Sequence, residues 1–149
     1  MNMSKDKAIG AASVRLSKKI TRIINFYLKP YNITTEQWGV LRTLSESDHI
    51  SQKQLSKRAD KDQATLTKIL DLLEKNEFIQ RVQNPSDRRS FIIKITDKGS
   101  QLCEELIPFL EKAFEKLLMD IDGEYLLIYQ QVVELLERNI DSLLDDANN

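Results

Sequence analysis

The sequence is poor in the residue types from which most metal, disulfide and nucleophile sites are built. It has 149 residues, with one cysteine and one histidine. A single cysteine excludes an internal disulfide framework. His49 would have to recruit carboxylates alone to hold zinc, so it reads as a loop histidine and no metal is expected. The four glycines, Gly10, Gly39, Gly99 and Gly123, are scattered and cannot form a glycine-rich phosphate loop. No nucleophile–base pair stands out, so neither an enzyme nor a bound cofactor is expected. No apolar run is long enough to span a bilayer, and no signal-peptide pattern follows Met1, so the expectation is a cytoplasmic protein without a membrane partner.

A basic excess is also missing, because the formal net charge is −1. Its distribution is uneven. Residues 1–50 carry eight basic and four acidic side chains, residues 51–98 eleven and seven, and residues 99–149 three and twelve. The first two thirds are therefore basic and the last third strongly acidic. Such asymmetry suits a molecule with one end facing a polyanion and the other facing solvent.

The basic part contains the most ordered pattern. Ser51 with Gln54 three residues later forms a capping box that opens a short helix. Leu55 and Ala59 give that helix a narrow inner face, and a turn follows at 59–62. Asp60, with Gln63 at the third position, is the expected cap of the next helix. In that helix Leu66, Ile69, Leu70 and Leu73 recur at helical spacing and should be buried. Its opposite side carries Lys61, Ala64, Thr65 and Lys68, with Thr67 on the flank. Small, hydroxyl-bearing and cationic side chains are what a helix entering the major groove requires, although a solvated face would look the same. The next stretches weigh against that bland alternative. Residues 78–83 and 91–96 read as strands, joined by Asn84-Pro85-Ser86-Asp87-Arg88-Arg89-Ser90. Paired arginines at a hairpin tip suit the minor groove. Asp87 is expected to pair with an arginine and fix the shape of the loop. Helix, turn, helix, then a basic hairpin is the order of a winged helix-turn-helix, and it points to double-stranded DNA.

Leu66-Thr67-Lys68-Ile69-Leu70-Asp71-Leu72-Leu73, then Phe78-Ile79, the tip from Asn84 to Arg89, and Ile95-Thr96-Asp97-Lys98-Gly99 together resemble the MarR family of winged-helix transcriptional regulators. Asp87, Arg89, Thr96 and Gly99 match the family's wing pattern in register. Ala64 and Lys68 depart from it, standing where many members carry Ser or Thr and Arg. Lysine is a point charge without the bidentate fork of arginine. The resemblance covers nearly the whole chain. It implies a mainly α fold with a small β wing, in one domain over 1–149. The winged-helix DNA-binding part would be 34–98, flanked by dimerisation helices at 6–30 and 99–145.

The flanking segments agree. Residues 6–29 read as one helix with Ile9, Ala12, Leu16, Ile20, Ile23, Ile24, Tyr27 and Leu28 along a broad stripe, stopped by Pro30. Its basic side, Arg15, Lys18, Lys19 and Arg22, reads best as a solvated face. Thr34 and Gln37 form a second capping box before Trp38, Leu41 and Leu44. Ile50 is expected to begin a very short third strand behind the wing. After Gly99 two more helices are expected, the first kinked or divided by Pro108 and the second running from about 124 to 144. Three terminal helices this apolar suggest an intertwined homodimer, hence two half-sites about 10 base pairs apart in a pseudo-palindromic operator.

The functional expectation is a homodimeric repressor. Gln63, Thr65, Thr67 and Lys68 would read the major groove, Arg88 and Arg89 would serve the wing, and Ser51 and Gln52 would hold phosphate. The alternative is a winged helix used for protein contact without DNA, which the two tip arginines disfavour. Family members often bind small aromatic or phenolic ligands beside the reading head. Tyr27, Tyr31, Trp38 and Phe109 would line such a pocket, with a plain core role as the alternative at each position. Cys103 has Glu104 and Glu105 beside it; acidic neighbours raise a thiol pKa, so an inert cysteine is expected.

Overall fold

The computed structural model describes residues 3–149. A π-helical turn, Asp6–Ala11, leads into α1, Ala12–Leu28. The first helix is thus wound more widely at its start than a uniform 3.6-residue period implies, over a segment that includes Gly10. Pro30 lies in a 3-10 turn, Lys29–Tyr31, and the chain leaves through Asn32 at φ 58°, a left-handed conformation that asparagine tolerates. The remaining elements are α2 (Thr35–Glu46), β1 (Ile50–Ser51), α3 (Gln52–Arg58), α4 (Gln63–Lys75), β2 (Ile79–Asn84), β3 (Asp87–Ile95), α5 (Asp97–Leu117) and α6 (Gly123–Asn148). They form two compact units, one up to Leu110 and one from Glu111 onward.

In the first unit the helical stripes meet in one core. Leu28, Leu41, Leu44, Leu55, Leu66, Leu70, Leu73, Ile79, Ile93 and Leu106 are all but inaccessible to solvent. Truncating any one of these leucines to alanine would cost about 2–5 kcal/mol. The Thr34–Gln37 capping box is formed, with both reciprocal bonds at 3.2 Å. It explains how Gln37, only 9% exposed, is buried without loss.

The sheet is antiparallel in the order β1-β3-β2. Ile50 pairs with Ile93, so the short third strand expected from the sequence is present. Ser51 pairs with Ile92 and also caps α3, which joins the sheet and the helix pair through one residue. At the other end of α4, Phe78 N–H donates to Leu73 O and Glu77 N–H to Glu74 O, both at 2.9 Å. This is a Schellman closure with Glu77 in the left-handed position at φ 66°.

The fifth helix begins at Asp97, within the segment read from sequence as preceding it, and Gly99 sits in its first turn. Thr96 Oγ1 accepts the Gly99 N–H at 3.0 Å and donates to Glu77 O at 2.6 Å. A side chain on Gly99 would fall 2.3 Å from Phe78 O, so glycine is required for this close approach. The helix then runs undivided through Pro108. Proline removes one N–H, and the turns on either side hold the helix together. In the second unit, α6 starts one residue earlier than expected and ends four later, and none of its residues is buried.

Candidate nucleic-acid interface

The α3–turn–α4 segment is held by short-range bonds. Ser51 Oγ accepts from Gln54 N–H at 3.1 Å, and Gln54 Oε1 accepts from Ser51 N–H at 3.0 Å, as the capping box requires. The turn is not built as the sequence suggests. Asp62, not Asp60, caps α4: its Oδ1 accepts from Thr65 N–H at 2.8 Å and its Oδ2 from Thr65 Oγ1 at 2.9 Å. These bonds hold the Asp62 carboxyl below the usual aspartate range, chiefly through the Thr65 main-chain N–H. Asp60 instead closes the turn at φ 52°, so its side chain cannot serve as the cap. Ser56 Oγ donates to Lys61 O, and Lys61 Nζ lies 3.8 Å from Glu36 on α2.

Leu66, Ile69, Leu70 and Leu73 are buried as expected, which turns Gln63, Ala64, Thr67 and Lys68 to the surface, with Thr65 half-buried. Gln52 and Thr67, widely separated in sequence, are brought together, Gln52 Nε2 donating to Thr67 Oγ1 at 2.9 Å. Lys68 has no carboxylate within ion-pair distance among the described residues.

The wing is tighter than the sequence suggests. Asn84 pairs with Asp87, leaving only Pro85 and Ser86 as the turn. The next rung is Gln83 with Phe91, so Arg88, Arg89 and Ser90 bulge out of β3 with no opposite residue in the β2 register. Both arginines are exposed and have no ion-pair partner among the described residues. Asp87 does fix this shape, but not by pairing with an arginine side chain. Its Oδ1 accepts the main-chain N–H of Arg89 at 2.9 Å, an Asx-type bond that leaves the guanidinium free. Asn84 completes the tip, accepting from Ser86 N–H and donating to Ser90 Oγ, both at 3.0 Å.

Three supports were not anticipated. Arg81 on β2 places Nη2 2.7 Å from Asp71 and 2.9 Å from Glu74, both on α4. The only trace in the sequence was an i, i+3 acidic pair on the polar side of that helix. Asp48 Oδ1 accepts the Ile95 N–H at 2.9 Å, tying the loop before β1 to β3. His49 Nδ1 lies 2.9 Å from Asp48 Oδ2, and no group of metal-ligating side chains occurs among the described residues.

Of the four aromatics proposed for a ligand, three are together: Phe109 stands edge-on to Tyr27 at 6.0 Å and tilted to Tyr31 at 5.8 Å between ring centroids. Burial and the Glu105 carboxylate raise the Tyr31 hydroxyl pKa. Trp38 is 6% exposed and lies in the core. Cys103 is buried as well. Its pKa is raised by that burial and lowered by Ser45 and Arg42, so Glu104 and Glu105 are not the cause.

A three-stranded wing beside a capped helix-turn-helix defines a winged helix-turn-helix protein. The MarR family model matches residues 33–91. The multiple antibiotic resistance protein MarR of Salmonella typhimurium is 33% identical over 97 residues, covering 65% of this chain and 67% of that protein. Among solved structures, a MarR protein from Peptoclostridium difficile superposes with a TM-score of 0.86 at 22% identity, covering 95% of this chain and 94% of that one. A mutant E. coli MarR complexed with operator DNA gives 0.81 at 24% identity, covering 91% and 99%. The chain belongs to the MarR family, a family of DNA-binding transcription regulators and not of enzymes.

Proposed function

We propose that this protein is a homodimeric, cytoplasmic transcriptional repressor that binds a pseudo-palindromic operator and is released by a small aromatic ligand. The observation that carries the DNA reading is the pair of unneutralised cationic surfaces on one unit: Lys68 with the polar start of α4, and Arg88 with Arg89 on the bulge. In this reading Gln63, Thr65, Thr67 and Lys68 enter the major groove. Ser51 and Gln52 meet phosphate, and Arg88 and Arg89 reach the minor groove. The DNA complex of the E. coli relative supports the same use of the fold.

Dimerisation is supported by α6. Leu127, Ile128, Val132, Leu135, Ile140, Leu143 and Leu144 are all exposed, a continuous apolar surface of the kind that marks a protein contact. The Tyr27, Tyr31 and Phe109 group supports an aromatic ligand, since its rings offer edges and faces for stacking.

A gel shift on the upstream region across a salt series tests the reading. Affinity should fall steeply with salt, and replacing both Arg88 and Arg89 with alanine should lower the log–log slope by about 2. Salt-independent affinity would defeat it. Sedimentation should give twice the chain mass, a reporter should rise on deletion of the gene, and titration with simple phenolic acids should release the DNA.

A further inference from the structure

We propose that Thr67 reads its base with its methyl group, and that the base it meets in each half-site is thymine. This rests on the DNA reading above and names the chemistry at one position of it. A threonine hydroxyl has one proton. That of Thr67 is donated to Gln63 O at 2.8 Å, back along the helix. The same oxygen lies 2.9 Å from the side-chain amide of Gln52. With its proton already placed, Thr67 Oγ1 can only accept there, so Gln52 must present its NH₂ to it. The oxygen is tied on both sides.

Thr65 is committed in the same way. Its hydroxyl proton goes to Asp62 Oδ2 and its main-chain N–H to Asp62 Oδ1. Neither threonine of α4 keeps a hydroxyl donor for the N7, O6 or O4 acceptors of a base edge. The exposed residues at the start of the helix are Gln63, Ala64, Thr67 and Lys68; of these, Gln63 and Lys68 keep polar groups, while Ala64 and Thr67 have only methyls uncommitted. Residues three apart share a helix face, so the two methyls form one apolar patch. The only methyl group on the major-groove edge is the thymine C5-methyl. Gln52 keeps one N–H to donate to phosphate.

The test uses duplexes selected in vitro by the full-length protein. Thymines are then replaced singly with deoxyuridine, which removes only the C5-methyl. One position per half-site should lose affinity about fourfold, the value of one buried methyl-sized group. Thr67→Ser should bind the parent duplex correspondingly less well and be indifferent to deoxyuridine at that position. Thr67→Val, with no hydroxyl, should keep the discrimination. Tight binding indifferent to every deoxyuridine overturns the methyl reading alone, as does discrimination kept by Thr67→Ser and lost by Thr67→Val. Failure to select any duplex overturns the DNA reading itself.

Discussion

Arg81 grips Glu74 twice. Its guanidinium lies 2.9 Å from Glu74 Oε1, and its main-chain N–H donates to Oε2 at 2.9 Å. One carboxylate near the end of α4 therefore fixes both the path of β2 and the side chain on it. Asp71 adds a third contact, at 2.7 Å.

Arg81→Met should remove this clamp while keeping the stem volume. Both carboxylates are more than one-third exposed, so screening holds the expected loss to about 1–2 kcal/mol, below the cost of breaking a fully buried pair. Arg81→Lys should recover only part of it, because an ammonium is more strongly hydrated than a guanidinium and gives up water less readily for the same two acids. Urea denaturation checks both. A midpoint unchanged in Arg81→Met would show that the wing is held by its sheet pairing alone.

Two backbone positions should respond in opposite directions. Glu77 occupies the left-handed Schellman site at φ 66°, where a Cβ is unfavourable. Glu77→Gly should stabilise by about 0.5–1 kcal/mol, less any loss from the exposed Lys98 contact. Gly99→Ala would press a Cβ against the Phe78 carbonyl and should destabilise by about 2 kcal/mol or more. Paired melting curves decide the signs.

Acid should loosen α4. The Asp62 carboxyl titrates below its usual range because of the Thr65 N–H, and Glu74 below its own because of Arg81. A carboxyl depressed on folding contributes stability above its unfolded pKa and loses it as pH falls through the folded one. Stability should therefore decline below about pH 4. Asp62→Asn, which still offers a capping oxygen, should flatten that acid limb. A limb of unchanged steepness would remove Asp62 from the account.

Cys103 should be slow to react. Burial keeps the thiol protonated near neutral pH, and the thiolate is the nucleophile. A thiol reagent should label it slowly in the native protein and quickly in denaturant. Peroxide should leave DNA affinity unchanged. Rapid native labelling, or a peroxide effect abolished by Cys103→Ser, would reverse this.

The sequence revealed most where a local rule was self-sufficient. Both capping boxes and the buried stripe of α4 follow from neighbours within a few residues. It misled where two local rules competed. Asp60 has the glutamine partner of a capping box, but the chain needs a left-handed residue there, so the cap moved to Asp62. The wing loop was read too long because turn formers and arginines run together, and only pairing distinguishes turn from bulge. The Arg81 clamp was illegible, because which face β2 turns toward α4 is set by tertiary packing.

The bulge has a consequence for how this tip can vary. Five rungs, from Ile79 with Ile95 to Gln83 with Phe91, lie beneath it in unbroken register, and the single Asn84–Asp87 rung closes it above. Residues gained or lost between these two fixed points would alter how far the arginines extend without shifting any side chain of the foundation to the wrong face. Reach and anchorage are separately adjustable, so a longer or shorter tip needs no redesign of the hydrophobic interior.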